Sequence, residues 1–242
     1  MSAGTTIFQL LDVPEKYIPV VGAGAVAVAL TGLGLIVKMK AAKAEQNIAP
    51  APGITVINIA TSIVSYFKGL LESIVGHHSE KYVPVVGGIF LFIFLSNISG
   101  LLPGWLPPTD NLNTNLGMAL CVFLFYNYLA IREHGFGYFK HFTGGLPPPG
   151  YGGILRLILG VIAGLVVAIE VIGHAFRPLS LTFRLWGNMN GDHILLGTVS
   201  GLIPLILPMA AMALGLFVSL IQALVFSLLT TVYIKLAVSH DH

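Results

Sequence analysis

Several ionisable residues lie within the apolar stretch 164–200. A charged side chain at the centre of a bilayer costs about 2.5 kcal/mol or more even on lenient scales, so such residues usually line a water path or meet a partner. Their number indicates a route for ions across the membrane. They are Glu170, His174, Arg177, Arg184, Asp192 and His193.

The spacing of four of these residues follows the turn of an α-helix. Glu170 and Arg184 are separated by about 1400° at ~100° per residue, only about 40° short of four turns. Arg177 lies midway between them, and His174 follows Glu170 by one turn. An unbroken helix would place all four on one face, but Pro178 removes a backbone hydrogen bond and predicts a kink that divides this stripe.

Arg184 is the residue that we associate most strongly with function. No acidic residue lies three or four positions away, so nothing on its own helix neutralises its charge. Arginine also stays protonated, because its pKa lies far above physiological pH. We expect its partner elsewhere in the chain or on another subunit.

The remaining polar residues have structural alternatives. Glu170 suits either an ion path or a structural pair with His174 or Arg177, and Arg177 suits an interfacial position from which its charge reaches water. Gln222 and Asn97 lie inside other apolar runs, where each could simply form a helix–helix hydrogen bond.

The sequence carries no motif of an active site. The patterns GxxxxGK[ST], GxSxG and HExxH are absent, and the single cysteine, Cys121, is expected in the core. The terminal and loop histidines lack the spacing and carboxylates of a metal site. We therefore expect no metal, no cofactor and no catalysis by this chain alone. Those histidines are His77, His78, His240 and His242.

The composition excludes a soluble domain. Of 242 residues, 55% are hydrophobic and 9% are charged, whereas soluble domains carry about a quarter charged residues. The net charge of +2 is too small and scattered to indicate a nucleic-acid partner. We predict an all-α polytopic membrane protein with one membrane domain, 1–242, and lipid around it.

The apolar runs predict the elements that position these residues. Three spans lie near 18–37, 83–102 and 116–131, and an amphipathic helix at 53–76 lies at the interface. The hairpin 151–236 contains runs of up to roughly 70 Å of helix against roughly 30 Å of hydrocarbon, so it must fold back or tilt steeply. Pro178, Pro204 and Pro208 are the predicted bend points.

The basic residues predict the orientation. Lysines follow the first span, and Arg132 and Lys140 follow the third, so both spans end in the cytoplasm or its equivalent. Lys235 places the C-terminus on the same side.

Three segments carry a resemblance to a known family. The run RPLSLTFRLWGNMNGDH resembles the signature of subunit a of the F-type ATP synthase, the stator channel beside the rotating c-ring. SLIQALVFSLLTTVYIKLA resembles its final helix, and LFIFLSNISGLLPGWLPPTDNLNTNL resembles its second span and following turn. The likeness covers most of the chain from about residue 83. It implies about five membrane helices, the last two long and tilted against the ring.

The resemblance also implies roles. The arginine matched by Arg184 faces the carboxylate of each c-subunit, and the positions of Asn188 and Gln222 orient it. The position of Glu170 lies in the half-channel toward F1. The position of His193 relays protons in the opposite, inlet half-channel, to which Asp192, Asn97, Asn111 and Asn113 are also assigned.

Two positions depart from the family pattern. Gly215 stands where many relatives carry an acid or histidine that works with the His193 position, and Gly100 stands where some carry an acid. We expect Asp192 to compensate at the first of these positions.

The resemblance implies protons as the cargo and three partners: the c-ring, the b-subunit peripheral stalk and the F1 sector. A bacterial inner membrane is the expected location, although an organelle-encoded subunit would also lack a transit peptide. The alternative function is a secondary transporter with a mid-membrane substrate site, which usually shows repeated halves; the sequence shows none. A membrane-embedded enzyme would need a clustered acid–base or metal site.

Overall fold

The computed structural model describes residues 8, 12–44, 55–76, 79–102, 105–135, 153–200 and 206–238. These residues form helices and short 3-10 turns, with no strand among them. The α-helices in chain order are α1 (Ile18–Ala44), α2 (Val56–Val75), α3 (Val83–Ser99), α4 (Leu112–His134), α5 (Gly153–Ser200) and α6 (Ile206–Val238).

Five of these helices are long and apolar enough to cross a membrane; α2 is the exception. Along α2, Phe67 and Leu71 are buried one turn apart, while Lys68 and Glu72 are exposed. This division into an apolar and a polar face is typical of a helix at the membrane surface. The predicted fold class, an all-α polytopic membrane protein with an additional amphipathic helix, is confirmed.

An ion pair joins α2 to the turn that precedes α3. Lys68 Nζ lies 2.8 Å from Glu80 Oε1. The hydrogen bond to Glu80, together with its negative charge, raises the pKa of Lys68 above its ordinary value. Both side chains are exposed, so the pair orients this turn and adds little to stability.

The core lies where α3 and α6 pack together, flanked by α2 and α4. Buried hydroxyl groups of α6 are satisfied inside the helix: Ser227, Thr230 and Thr231 each donate to the carbonyl four residues earlier. No water need enter this apolar region to satisfy them. The large buried side chains include Phe67, Val86, Phe90, Ile93, Val122, Tyr126, Phe226 and Ile234.

The helix α5 lies at the edge of this core. Leu181, Leu185 and Met189 recur every four residues and are 2%, 2% and 4% exposed, so they form the contact face of this part of α5. In contrast, no residue in its most apolar 18-residue window is buried within the chain. Most of α5 is therefore available to lipid or to another subunit.

The long apolar segments do not fold back within the described residues. α5 is one helix of 48 residues that continues through Pro178, about 72 Å long at 1.5 Å per residue. Of the two expected solutions, folding back or steep tilt, only tilt can fit this length into about 30 Å of hydrocarbon. Pro208 is the third residue of α6, where a missing N–H costs no helical bond.

Some predicted features lie outside the described residues. They are the Gly- and Pro-rich loop at 136–152 with Lys140, the bend point Pro204, and His77, His78, His240 and His242.

Candidate functional site

Arg184 lies on the exposed side of α5. Its side chain is exposed, as are those of its neighbours Phe183 (55%) and Trp186 (38%), whereas Leu181 and Leu185 on the adjacent side of the helix are buried. Among the residues that the structure describes, no ion pair involves Arg184. The guanidinium is thus presented outward from a membrane-spanning helix without a counter-charge from the described part of its own chain.

An amide pair joins α5 to α6 one turn after Arg184. Asn188 Nδ2 donates a hydrogen bond of 2.6 Å to Gln222 Oε1. Gln222 is 4% exposed, and its Nε2 has no partner. The structure therefore brings together the two neutral residues predicted to act beside Arg184. The pair lies one helical turn from Arg184 along α5.

Further along α5, Asp192 lies against the glycine of α6 that departs from the family pattern. A Cβ added to Gly215 would be 3.7 Å from Asp192 Oδ2 and 3.1 Å from Leu101 Cδ2. The Asp192 carboxylate therefore borders the space that a side chain at position 215 would enter. Asp192 and the adjacent His193 are both half-buried.

The three asparagines predicted near the α3–α4 turn have different environments. Asn97 is 4% exposed, and its Oδ1 has no partner. Asn111 is the N-cap of α4, since its side chain accepts a hydrogen bond of 2.9 Å from the Asn113 backbone N–H. This bond gives Asn111 a capping role, and Asn113 is exposed. Only Asn97 of the three contributes an unpaired buried group.

The sequence analysis missed a fourth asparagine, Asn115. Its side chain is fully buried and donates from Nδ2 to the Thr109 carbonyl at 2.7 Å, whereas Oδ1 has no partner. Its position one turn after the capping Asn111, at the start of the buried stripe of α4, is a signal that sequence reasoning could have used.

Unpaired buried polar atoms collect around this turn. A buried polar atom is costly unless a protein group or a water satisfies it. Those on α3, the α3–α4 turn and the start of α4 are Ser96 Oγ, Asn97 Oδ1, Trp105 Nε1, Thr109 Oγ1 and Asn115 Oδ1. We call these five residues the polar cluster. Their chemistry suits a small hydrated passage between the helices.

Gly100 leaves no room for the acid that some relatives carry there. A Cβ at this position would be 2.5 Å from Met189 Cε and 2.8 Å from Pro107 Cγ. These side chains close the gap between α3, the following turn and α5. Together with the contact of Leu101 at Gly215, they place the α3–α4 turn beside the Asp192 end of α5.

Before Pro178, the polar residues of α5 turn inward. His174 Nε2 lies 3.0 Å from Asn127 Oδ1 on α4, and Arg177 Cζ lies 5.1 Å from the centre of the Tyr233 ring on α6. Arg184, after the proline, is exposed. The expected stripe is therefore divided on the two sides of Pro178. Glu170, one turn before His174, is half-buried.

The described residues contain no group of three or more His, Cys, Asp or Glu side chains that could hold a metal ion. Cys121, expected in the core, is exposed on α4 and lines a groove between α3 and α4. Its apolar neighbours in sequence face lipid as well as protein, which is why an apolar run did not indicate burial.

Known proteins resemble this chain over nearly its whole length. The family described as ATP synthase A chain matches residues 22–235. The chain is 34% identical to ATP synthase subunit a of Bdellovibrio bacteriovorus over 95% of both chains. It is 39% identical to ATP synthase subunit a of Citrifermentans bemidjiense over 91% of this chain and 90% of the relative. The chain belongs to the ATP synthase subunit a family.

A further relative agrees with this assignment. ATP synthase subunit a 1 of Pelobacter propionicus is 41% identical over 76% of this chain and 75% of its own. Family membership and the five apolar helices make the chain an integral membrane protein. The resemblance seen in the sequence is confirmed, and the alternative of a secondary transporter receives no support from these matches.

Proposed function

We propose that this chain is the proton-translocating stator subunit of an F-type ATP synthase. In this proposal Arg184 faces the carboxylate of each c-subunit as the ring turns, between two offset aqueous half-channels. The observation that carries the proposal is the exposed Arg184 on α5, which has no ion pair among the described residues. A cation in this position needs an acid from a neighbouring subunit.

Arg184 performs two tasks. Its positive charge favours the ionised form of a nearby rotor carboxylate, because an opposite charge lowers the pKa of an acid. It also repels an excess proton that would pass directly between the half-channels. The Asn188–Gln222 pair keeps a polar, uncharged surface beside the guanidinium and fixes the spacing of α5 and α6 there.

The inlet half-channel uses Asp192 and His193. Asp192 supplies the carboxylate that many relatives place on the final helix, because it borders the open position at Gly215. The polar cluster lies on α3, the α3–α4 turn and the start of α4, and this turn is beside the Asp192 end of α5; in this proposal, waters on its unpaired atoms conduct protons to that carboxylate. Asn111 also caps α4 by accepting a hydrogen bond from the Asn113 backbone N–H, so Asn97 is the residue of the three that we place on the proton path.

Glu170 belongs to the half-channel that opens toward F1. It lies on the opposite side of Arg184 from Asp192, so protons that enter and leave are separated along α5. A proton neutralises the rotor acid from one half-channel, travels with the ring through lipid, and leaves through the other. Each unit charge that crosses gains about 2.3 kcal/mol per 100 mV.

The complex supplies everything else that ATP synthesis requires. The chain itself is not catalytic. It assembles with the c-ring, the b-subunit peripheral stalk and, through them, the F1 sector. The proposed location is the bacterial inner membrane, with the C-terminus on the cytoplasmic side. The length of α5 supports a steep tilt that lets the α5–α6 hairpin follow the curved ring.

The test is the variant Arg184→Ala in inverted membrane vesicles. We expect ATP-driven proton pumping to be abolished while the assembled complex remains, because the residue lies outside the packed face of α5. Arg184→Lys should also fail or nearly so, since a compact ammonium differs in reach and hydration. The matched control is Phe183→Ala, an exposed neighbour on the same helix, which should still pump. Wild-type pumping by Arg184→Ala would refute the proposal.

A further inference from the structure

A hydrogen bond between α4 and α5 fixes the state of a histidine that has no assigned role. Asn127 Nδ2 donates to the Phe123 carbonyl at 2.7 Å, so the Asn127 Oδ1 atom is the one that faces His174 Nε2 at 3.0 Å. An amide oxygen only accepts hydrogen bonds. His174 Nε2 must therefore carry a hydrogen, and Nδ1 is the nitrogen at which the ring gains or loses a proton.

The surroundings hold the imidazole in place while leaving it half-buried. Its ring centre lies 5.1 Å from that of Phe123 and 5.6 Å from that of Tyr126, both on α4. With Nε2 bound to Asn127, the ring has one orientation. A proton can then exchange at Nδ1 without breaking the contact between the helices.

The protonatable and charged groups around this ring come from three helices. On α5, Glu170 lies one turn before His174, and Arg177 lies three residues after it. Tyr126 contacts the ring from α4, and Tyr233 of α6 lies under Arg177. A fixed cation thus lies on the side of the ring toward Arg184, and a carboxylate lies on the other side.

We propose that His174 is a further proton-carrying residue of the half-channel that contains Glu170, with Asn127 as its positioning residue. This inference rests on the function proposed above. A proton released by the rotor acid binds Nδ1 through water and forms an imidazolium, and it then passes to water or to the Glu170 carboxylate. The ring returns to its starting tautomer, because Nε2 keeps its hydrogen throughout.

The experiment measures passive proton conductance through vesicles that carry the membrane sector after F1 has been removed, between about pH 5 and 8, the range in which histidine titrates. The wild type should show an inflection in this range. His174→Gln can still donate an N–H to Asn127 but cannot titrate. We expect a severalfold lower conductance and a weaker inflection, since His193 of the inlet half-channel still titrates in this range. Asn127→Asp places a carboxylate on Nε2–H, which favours the imidazolium, so the inflection should move to higher pH.

Two comparisons separate this proposal from a structural role and from the proposed function. Glu170→Gln should lower conductance but keep the inflection, because His174 remains. A wild-type profile in His174→Gln, or an inflection that Asn127→Asp does not move, would overturn the proposal for His174. If those profiles are unchanged while Arg184→Ala abolishes pumping, only His174 has been misassigned. If Arg184→Ala pumps normally, the proposed function itself fails.

Discussion

Two arginines seven residues apart on α5 show how the environment separates structural from functional charges. Arg177 lies over the Tyr233 ring, 5.1 Å from its centre, so a cation–π contact accounts for its position. Arg184 is exposed and has no ion pair within the described part of the chain. The same guanidinium has a partner within the chain in one case and, in the proposed function, an acid of another subunit in the other.

At the residue scale, Asp192 borders the open position at Gly215. This predicts that a carboxylate at position 215 could partly replace the one at position 192. Asp192→Asn should strongly reduce ATP-driven proton pumping, because the amide cannot accept and release a proton at neutral pH. The double variant Asp192→Gly/Gly215→Asp places the carboxylate on α6 instead of α5. It should restore part of the rate, since a Cβ added at Gly215 would lie 3.7 Å from Asp192 Oδ2. Pumping is measured in inverted vesicles.

The control for this series is Glu15→Gln, which removes an exposed acid outside the core and should leave pumping unchanged. The role assigned to Asp192 would be contradicted by full activity in Asp192→Asn. A double variant no more active than Asp192→Gly alone would contradict the claim that the two positions share one site.

Sequence reasoning singled out candidate residues more readily than it found their partners. Arg184 stood out because its own helix carries no acid near it, an argument that needs only helical spacing. The Asn188–Gln222 bond joins residues 34 apart in sequence, and composition alone could not pair them without the resemblance. Asn115 and Asn127 were missed because an amide at a helix start or within an aromatic run has many structural uses. The burial of each amide, and whether its polar atoms have partners, distinguish these uses. Both properties depend on tertiary packing.

At the scale of elements, α5 has distinct surfaces for distinct contacts. The stripe Leu181, Leu185 and Met189 packs inward, while Arg184 and Asn188 are exposed beside it. The length of the apolar run predicted a segment too long for one perpendicular span, but it could not tell which part of an apolar surface faces protein. In lipid both environments are apolar, so the usual contrast between core and solvent is lost.

The ends of the helices were harder to predict than their existence. The third span was predicted at 116–131, whereas α4 runs from Leu112 to His134. Its first turn contains Asn113 and Asn115, which lowered the apparent hydrophobicity, yet Asn111 caps the helix before them. Pro178, the predicted site of a kink, lies inside α5, which is continuous through it.

The close approach at Gly100 gives a prediction for the junction of α3, the turn and α5. Its backbone is in the right-handed helical region, so alanine there meets only a steric problem. The new Cβ would lie 2.5 Å from Met189 Cε and 2.8 Å from Pro107 Cγ. Gly100→Ala should destabilise the chain by about 1–3 kcal/mol, typical of overpacking. Thermal unfolding of the detergent-purified complex measures the effect.

Gly88→Ala is the matched control for Gly100→Ala. Gly88 lies in α3, and a Cβ there would meet nothing within 4 Å, so its effect should stay within about 0.5 kcal/mol. Equal melting temperatures for the two variants would contradict the packing described at Gly100.

At the scale of the whole molecule, the chain leaves much apolar surface uncovered by its own residues. The most apolar window of α5 is unburied, and α5 also carries the exposed Arg184 and the half-buried Asp192 and His193. Lipid can cover the apolar surface but cannot neutralise Arg184 at mid-membrane. The proposed arrangement, a tilted hairpin against a ring of carboxylates, would satisfy both requirements at once.

The orientation of the whole molecule can be tested through Lys235, which is exposed near the end of α6. In a Cys121→Ser background, Lys235→Cys should react with a membrane-impermeant maleimide in inverted vesicles and not in right-side-out vesicles. The reason is the excess of basic residues predicted on the cytoplasmic side. Labelling only in right-side-out vesicles would reverse the assigned orientation and exchange the two half-channels.

The most direct test of the central claim is a density map of the assembled membrane sector that resolves α5 and the adjacent rotor helices. The account predicts that the Arg184 guanidinium faces a rotor carboxylate, within the ~4–6 Å over which opposite charges shift a pKa appreciably. An Arg184 side chain paired with a carboxylate of its own chain, or turned away from the ring into bulk water, would contradict it.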